Sequence, residues 1–434
     1  MDILSFKNIN FHENYEKDKN ERNIGYSKIN NVILTGRNLY YPNVLLYSDN
    51  ILISPYDEKI MSLNKDSFYD NNKYELEINK NKNKKIIEEH VFFFIYNFDN
   101  YYHFLYDTLP YLYTYLELKK NNSELKLLVN YPNKNKKDFY KFNNEFLEKI
   151  INLNDLIIHN ENNYYKKIYV STSLTHGGYS NNPPRKEIYQ IYDLIKNNIN
   201  YENINQKYIN FYLNLSINLN KNLYKKFKKI YISRRTWINN DNSNIGTDYT
   251  SRRKMINEDE LVNELTKYDF TEIFSENLNT DEKIYLFSNA EIIIGSIGGG
   301  MSNLLFSNNK TKSIVIATPF FLDINYRFKY SMEHTDIQYI YDVKTYLEDN
   351  KIPLFCRVKI IDVKSIYFEK YGEICEYNKE NTKYLVNISN NDVAGFNNNI
   401  KFNNEWFLES EFILLDNGLN SPYLVDINKV LELL

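Results

Sequence analysis

Four of the chain's twelve glycines, Gly295, Gly298, Gly299 and Gly300, fall within six positions. At average usage of roughly 7%, a chain of this length would carry about 30. Arginine is as scarce: nine occur among 434 residues, and four of them form the pairs Arg234-Arg235 and Arg252-Arg253. Asn, Lys, Ile and Tyr are abundant instead, Tyr alone 41 times. That is the usage of a gene drifting toward A and T, which converts Arg to Lys and erodes Gly wherever physics permits. Clusters of both therefore call for a chemical reason. Glycine lets the backbone approach a ligand, free N–H groups at a helix start favour an anion, and a guanidinium forks onto phosphate oxygens as Lys cannot. Phosphate or pyrophosphate is the natural guest.

The glycine cluster sits in Ala290-Glu-Ile-Ile-Ile-Gly-Ser-Ile-Gly-Gly-Gly-Met-Ser-Asn-Leu-Leu-Phe306, a pattern of strand, turn and helix. Tight packing of a βα turn would explain one glycine. Three in succession favour a phosphate cradle made by Gly298, Gly299, Gly300, Met301, Ser302 and Asn303. A Walker loop would need Gly-Lys-Ser/Thr, which is absent, and the G-x-x-G-G-G spacing is not the dinucleotide fingerprint. Arg234 and Arg235 follow another strand-like run, Lys229 to Ser233, which puts them at the same carboxyl edge of a parallel sheet. Arg253 is a further cation for such a site, with Glu258 near it in sequence. A second kind of chemistry is suggested by His103 and Asp107. Four residues apart on a helix, they share a face, and a His near a helix N-terminus is kept neutral and available as a base. His176, beside Gly177-Gly178, is a second histidine placed to line a cleft from a loop.

The elements that must position these groups alternate between strand and helix. Short β runs at Val32-Leu34, Val44-Leu46 and Ile51-Ser54 precede a solvated run, Asn81 to Lys85. Val91-Tyr96 then predicts a buried strand, followed by a helix capped by Asp99 or Asn100, interrupted by Pro110 and ending near Lys119. Strands at Leu125-Val129 and Tyr164-Ser173 flank a helix at Asp138-Ile150, and another helix covers Arg185-Asn197. After the low-complexity stretch 198–228 come strands at Lys229-Ser233, Phe270-Phe274, Glu291-Ile294 and Ser313-Ala317. Between them lie helices opened by Asn257 with Glu260 and by Thr280 with Asp281 and Glu282. This predicts an α/β fold with parallel sheets, divided into residues 1–205, 206–345 and a C-terminal extension, 346–434, of unassigned role.

Bulk composition narrows the function. Hydrophobic residues make up 43% and charged residues 25%, globular proportions. The net charge of −3 offers no basic field for nucleic acid. Two cysteines cannot build a disulfide framework or a zinc site. Neither a signal-peptide core nor an apolar run near 18 residues is present, so a cytoplasmic protein without a membrane span is expected.

Taken together, the motifs resemble glycosyltransferase family 61, the group that includes EGF-domain and dystroglycan O-GlcNAc transferases and plant xylosyltransferases. The matching pieces are Asn100-Tyr-Tyr-His-Phe-Leu-Tyr-Asp-Thr-Leu-Pro110, Tyr231-Ile-Ser-Arg-Arg235, Arg253 with Asn257-Glu258, and Ala290 to Phe306, in the family's order. The resemblance implies a GT-B architecture of two Rossmann-like lobes with a cleft between them. It also implies inverting transfer from a nucleotide diphosphate sugar to a glycan or protein acceptor, with no metal or other cofactor. Asp107 would be the base, or the group orienting His103. Where the family's glycine loop usually carries His, this chain has Ile297, a departure expected to remove a phosphate or sugar contact. The alternative is accordingly a catalytically silent nucleotide-sugar- or glycan-binding protein of the same fold. A nucleotide-cofactor oxidoreductase is disfavoured by the glycine spacing.

Overall fold

The structure is a computed structural model. It describes residues 3–5, 24–35, 45–48, 51–54, 59–62, 85–98, 100–132, 137–160, 162–172, 174–175, 185–200, 204, 227–235, 253–318, 336–347, 352–389, 403–415 and 420–434, and every count or absence below refers to these. The expected division after residue 205 falls in 205–226, outside the described residues.

The first sheet contains β1 (Ile3–Ser5), β2 (Gly25–Thr35), β3 (Leu45–Ser48), β4 (Ile51–Ser54), β5 (Lys59–Ser62), β6 (Lys85–Phe93), β7 (Lys126–Val129), β8 (Leu156–Ile158) and β9 (Asn163–Ser171). Their order is β5-β4-β3-β2-β9-β6-β7-β8, with β1 beside β2. Strands β9, β6, β7 and β8 are parallel, while β2 joins β9 and β3 antiparallel, so the sheet is mixed. Val91, Phe92 and Phe93 of β6 are fully buried, as a parallel strand covered on both faces requires. That strand begins six residues earlier than its apolar run, because its first half is largely exposed, with Ile87 buried between exposed neighbours.

The helix after β6 is not continuous. The Asn100 side chain accepts from the His103 N–H at 3.1 Å and caps α1 (Tyr101–His103). The backbone then widens into a π-turn, Phe104–Thr108, and tightens into a 3₁₀ turn, Leu109–Tyr111, before α2 (Leu112–Lys119). Pro110 has no N–H to donate, and in an α-helix its ring would meet the Tyr106 carbonyl. The π-turn accommodates it and re-aims the residues around Asp107. Two further helices, α3 (Lys141–Leu147) and α4 (Gln190–Asn197), complete this half.

The second sheet is wholly parallel, with β10 (Lys229–Ile232), β11 (Thr271–Ile273), β12 (Ile292–Ser296), β13 (Lys312–Ile316) and β14 (Asp336–Ile340) in the order β11-β10-β12-β13-β14. Helices α5 (Glu258–Thr266) and α6 (Thr280–Asn289) link its first strands. The path reverses direction between β10 and β12. In such sheets the crevice for a ligand opens at the carboxyl ends of the strands flanking that reversal. Asn279, rather than Thr280, caps α6: its side chain accepts from Glu282 N–H at 2.9 Å, and Glu282 accepts from Asn279 N–H at 2.9 Å. The Asn257 side chain likewise caps nothing, and instead pairs with the backbone of Val425.

Beyond β15 (Val343–Thr345), an antiparallel sheet of β16 (Arg357–Ile360), β17 (Tyr371–Asn378), β18 (Lys383–Ser389), β19 (Asn403–Leu408) and β20 (Phe412–Leu414) surrounds its own core, which includes Val358, Ile374 and Val386. The chain then returns. Strand β21 (Tyr423–Val425) pairs with β15, and Tyr423, Val425 and Val430 enter the core of the second sheet with Leu261 and Ile294. No helix is long and apolar enough to cross a membrane.

One continuous core joins the two large sheets, combining Phe93, Leu105 and Phe146 with Ile232, Phe287 and Phe306. The rings of Phe146 and Phe306 stack at 5.9 Å across it. At its rim, Glu145 of α3 accepts from the Thr280 N–H at 3.0 Å and hydroxyl at 2.7 Å, and Lys149 pairs with Asp281. A carboxylate from one half thus meets the positive end of a helix in the other. Glu145→Ala should lower stability by about 1–3 kcal/mol, read as a reduced denaturation midpoint at unchanged slope in urea.

Candidate active site

The carboxyl ends of β10 and β12, the strands that flank the reversal, carry Arg234 and the glycine loop. Three of the four clustered glycines have internal reasons. A Cβ on Gly295 would lie 2.6 Å from the Met301 sulfur, and one on Gly300 would lie 2.9 Å from both Ile232 and Ser275 Oγ. Gly298 has φ +156, which side chains rarely tolerate. Gly299 has neither reason: nothing lies within 4 Å of where its Cβ would be. A glycine facing open space at a strand end suits the close approach of a ligand to the backbone. Within the turn, the Ser302 N–H is spent on the carbonyls of Gly298 and Gly299 at 3.2 and 3.3 Å. The N–H groups of Gly299, Gly300 and Met301 make no backbone hydrogen bond among the described residues. The side chains of Met301, Ser302 and Asn303 are fully buried, so their contribution to a ligand is through the turn they hold.

The two arginines part company. Arg235 is engaged by acids, with Nε donating to Glu272 at 2.8 Å, Nη1 to Asp259 at 2.7 Å and Nη2 also to Glu272. Arg234 lies against the loop, its Nη1 being 3.8 Å from the Cβ position of Gly298. That nitrogen is buried and has no hydrogen-bond partner among the described residues. A buried guanidinium donor left open is costly unless something arrives to accept from it. Glu258, 4% exposed, holds the Arg234 turn from below. Its Oε1 accepts from the Tyr231 hydroxyl at 2.9 Å, the Ser233 hydroxyl at 3.1 Å and the Arg234 N–H at 2.8 Å. Burial, with the Glu258 carboxylate adding to it, drives the Tyr231 phenol well up, so it stays a neutral donor.

Across the shared core stands the dyad. His103 Nδ1 and Asp107 Oδ2 are 2.5 Å apart, with the His side chain 29% exposed and the Asp 1%. Asp107 lies in the π-turn, whose backbone is held by Thr175 Oγ1 donating to the Asp107 carbonyl at 2.7 Å. The dyad's helix is tied to the glycine loop directly. The Tyr101 hydroxyl donates to Asn303 Oδ1 at 2.6 Å, and Asn303 Nδ2 donates to the Gly300 carbonyl at 2.9 Å. The Lys283 ammonium sits 4.6 Å over the Tyr101 ring, and burial holds its pKa down to about 8.

Comparison with known families bears on the class of chemistry. Residues 101–314 match the family model Glycosyltransferase 61. The match covers just under half of the chain and spans the dyad, Arg234 and the glycine loop. It assigns this domain glycosyltransferase activity at the level of the family, and its α/β build of mixed and parallel sheets agrees with a Rossmann-like transferase domain. A comparison with curated proteins returns no match.

Ile297, inside the matched segment, is fully buried in the joint core and donates its N–H to the Ile316 carbonyl at 2.9 Å. The Ile297 side chain thus faces the core. His176 lies outside the described residues. Arg253 is described, with φ 56, a left-handed conformation that β-carbon sterics disfavour. No group of three or more His, Cys, Asp or Glu is gathered as for a metal ion. Sequence reasoning missed Tyr101, whose partner is 202 positions away, and it missed that Glu258 acts as an acceptor beneath the arginine turn. The capping-box pattern pointed at the segment of Glu258 but not at this use.

The glycines give a test that separates packing from ligand approach. Gly300→Ala should cost about 1–3 kcal/mol of stability by overpacking Ile232 and Ser275. Gly299→Ala should leave stability within about 0.5 kcal/mol yet weaken diphosphate binding. Thermal melts with and without UDP or GDP read both.

Proposed function

We propose that the protein transfers a sugar from a nucleotide diphosphate sugar to a hydroxyl of a glycan or protein acceptor, with inversion and without a metal. The observation that carries this reading is the Tyr101–Asn303–Gly300 link, which joins a His–Asp dyad to a glycine loop bordered by an open guanidinium. Base and anion cradle are the two parts that a direct displacement needs. On this reading the architecture is GT-B, with residues 1–205 on the acceptor side and 206–345 on the donor side. Residues 420–434 then serve the donor side, whose core they enter.

In the proposed reaction, His103 takes the acceptor hydroxyl proton at Nε2 while Asp107 fixes the ring through Nδ1. Asp107, almost wholly buried, suits the orienting role better than direct contact with an acceptor. The acceptor oxygen attacks the anomeric carbon from the face opposite the diphosphate. The bond from that carbon to the diphosphate oxygen breaks, and the departing group gains negative charge. Arg234 and the N–H groups of Gly299, Gly300 and Met301 stabilise that charge in place of a cation. The ion pairs of Arg235 assign it to the support of this edge, with Arg253 as the second cation on the donor side.

Incubation with a panel of nucleotide sugars and simple acceptors tests the activity; product formation is expected, and donor binding without hydrolysis or transfer would instead mark a silent binder. Arg234→Ala should weaken diphosphate binding by about 1.5–3 kcal/mol, whereas Arg235→Ala should change it far less. His103→Ala should cut kcat by roughly 10²–10⁴ with donor affinity retained. Asp107→Asn should do the same less severely, and retained turnover in both dyad variants would reject the base assignment.

A further inference from the structure

The C-terminal return of the chain has no part in the motifs that define the site, yet it hydrogen-bonds to two of the segments that build the donor side. Tyr423 is fully buried. Its hydroxyl donates to Ser296 Oγ at 2.7 Å, and Ser296 is the last residue of β12, two positions before Gly298. Its backbone pairs with the segment that carries Arg253: Tyr423 N–H donates to the Lys254 carbonyl at 2.9 Å, and Ile256 N–H donates to the Tyr423 carbonyl at 2.8 Å. Arg253 N–H donates to the Asn420 carbonyl at 2.7 Å, which holds Arg253 in its left-handed conformation. Burial pushes the Tyr423 phenol up from its ordinary value, and the charges of Arg234 and Arg253 oppose that rise.

Apolar packing explains the ring of Tyr423, which shares its core with Met255 and Ile294. It does not explain the hydroxyl, which Phe would lack while keeping the ring. We infer that residues 420–425 complete the donor site, with Tyr423 the positioning residue that fixes the entry to the glycine loop and the backbone of Arg253 at once. This rests on the donor-site reading above. A diphosphate is the ligand class it serves, because the parts it aligns are two guanidinium groups and a turn of open N–H groups.

The test uses the full chain, with UDP, GDP and inorganic pyrophosphate as calorimetric probes. Tyr423→Phe is expected to weaken whichever probe the wild type binds by roughly three- to tenfold, the worth of one buried neutral hydrogen bond. The unliganded melting temperature should fall by no more than a few degrees. In turnover, the donor KM rises by that factor while kcat and the acceptor KM hold, a split that general loosening would not give. Ser296→Ala removes the same bond from its other end; it should show the same loss, and the double variant no more. Should Tyr423→Phe fold poorly, Ser296→Ala decides alone. Unchanged probe affinity in the variants, with Arg234→Ala weakened, overturns this inference and leaves the donor site standing. No probe bound by the wild type overturns both.

Discussion

The hydrogen bond from Tyr101 to Asn303 is the constraint on which the site depends. It is buried and neutral, and by itself worth about 1 kcal/mol. Its consequence lies in what it joins. Tyr101 stands two residues before His103 on a helix of the first sheet, and Asn303 braces the glycine turn of the second through Gly300. Around it the core is continuous, with Phe146 stacked on Phe306 and Glu145 closing the end of α6. A close-packed core of this kind admits discrete arrangements rather than gradual slippage. Dyad and glycine turn are therefore held in a fixed relation.

Two local departures from regular structure serve that relation. The π-turn at Phe104–Thr108 is what Pro110 demands of the helix, and it carries Asp107 inward while His103 keeps a partly exposed ring. The glycine turn at β12 shows a division of labour. Gly295, Gly298 and Gly300 are required by neighbours or by φ, and only Gly299 is left facing open space. The turn is thus a packed scaffold in which Gly299, alone of the four, has open space at its Cβ position, flanked by the open donor of Arg234.

Much of the parallel sheet was legible in the sequence, because buried strands of Ile, Val and Phe between turn signals announce themselves locally. The strands expected at Lys229-Ser233, Phe270-Phe274, Glu291-Ile294 and Ser313-Ala317 all occur, with ends shifted by one or two residues. The antiparallel sheet after residue 350 was not legible element by element. Strands β16 and β17 mostly alternate buried with half-buried residues and carry polar side chains, so no apolar run marks them. The arginine pair shows the same limit for the site. Arg234 and Arg235 are indistinguishable as neighbours in sequence, and only the positions of Glu272, Asp259 and Gly298 tell the neutralised cation from the open one.

The sequence by itself determined the chemistry on offer: a His and an Asp one helical turn apart, scarce arginines at a strand end, and glycines where a backbone must come close. These are properties of residue type and short spacing, and they survive without knowledge of the fold. Tertiary structure alone decided which of them meet. The reversal of strand order between β10 and β12 brought Arg234 beside Gly298, the return of the last residues put Tyr423 under Ser296, and burial sent Ile297 into the core. Each depends on segments tens to hundreds of residues apart, whose contact is set by how two sheets share one hydrophobic core and not by any local preference of the chain.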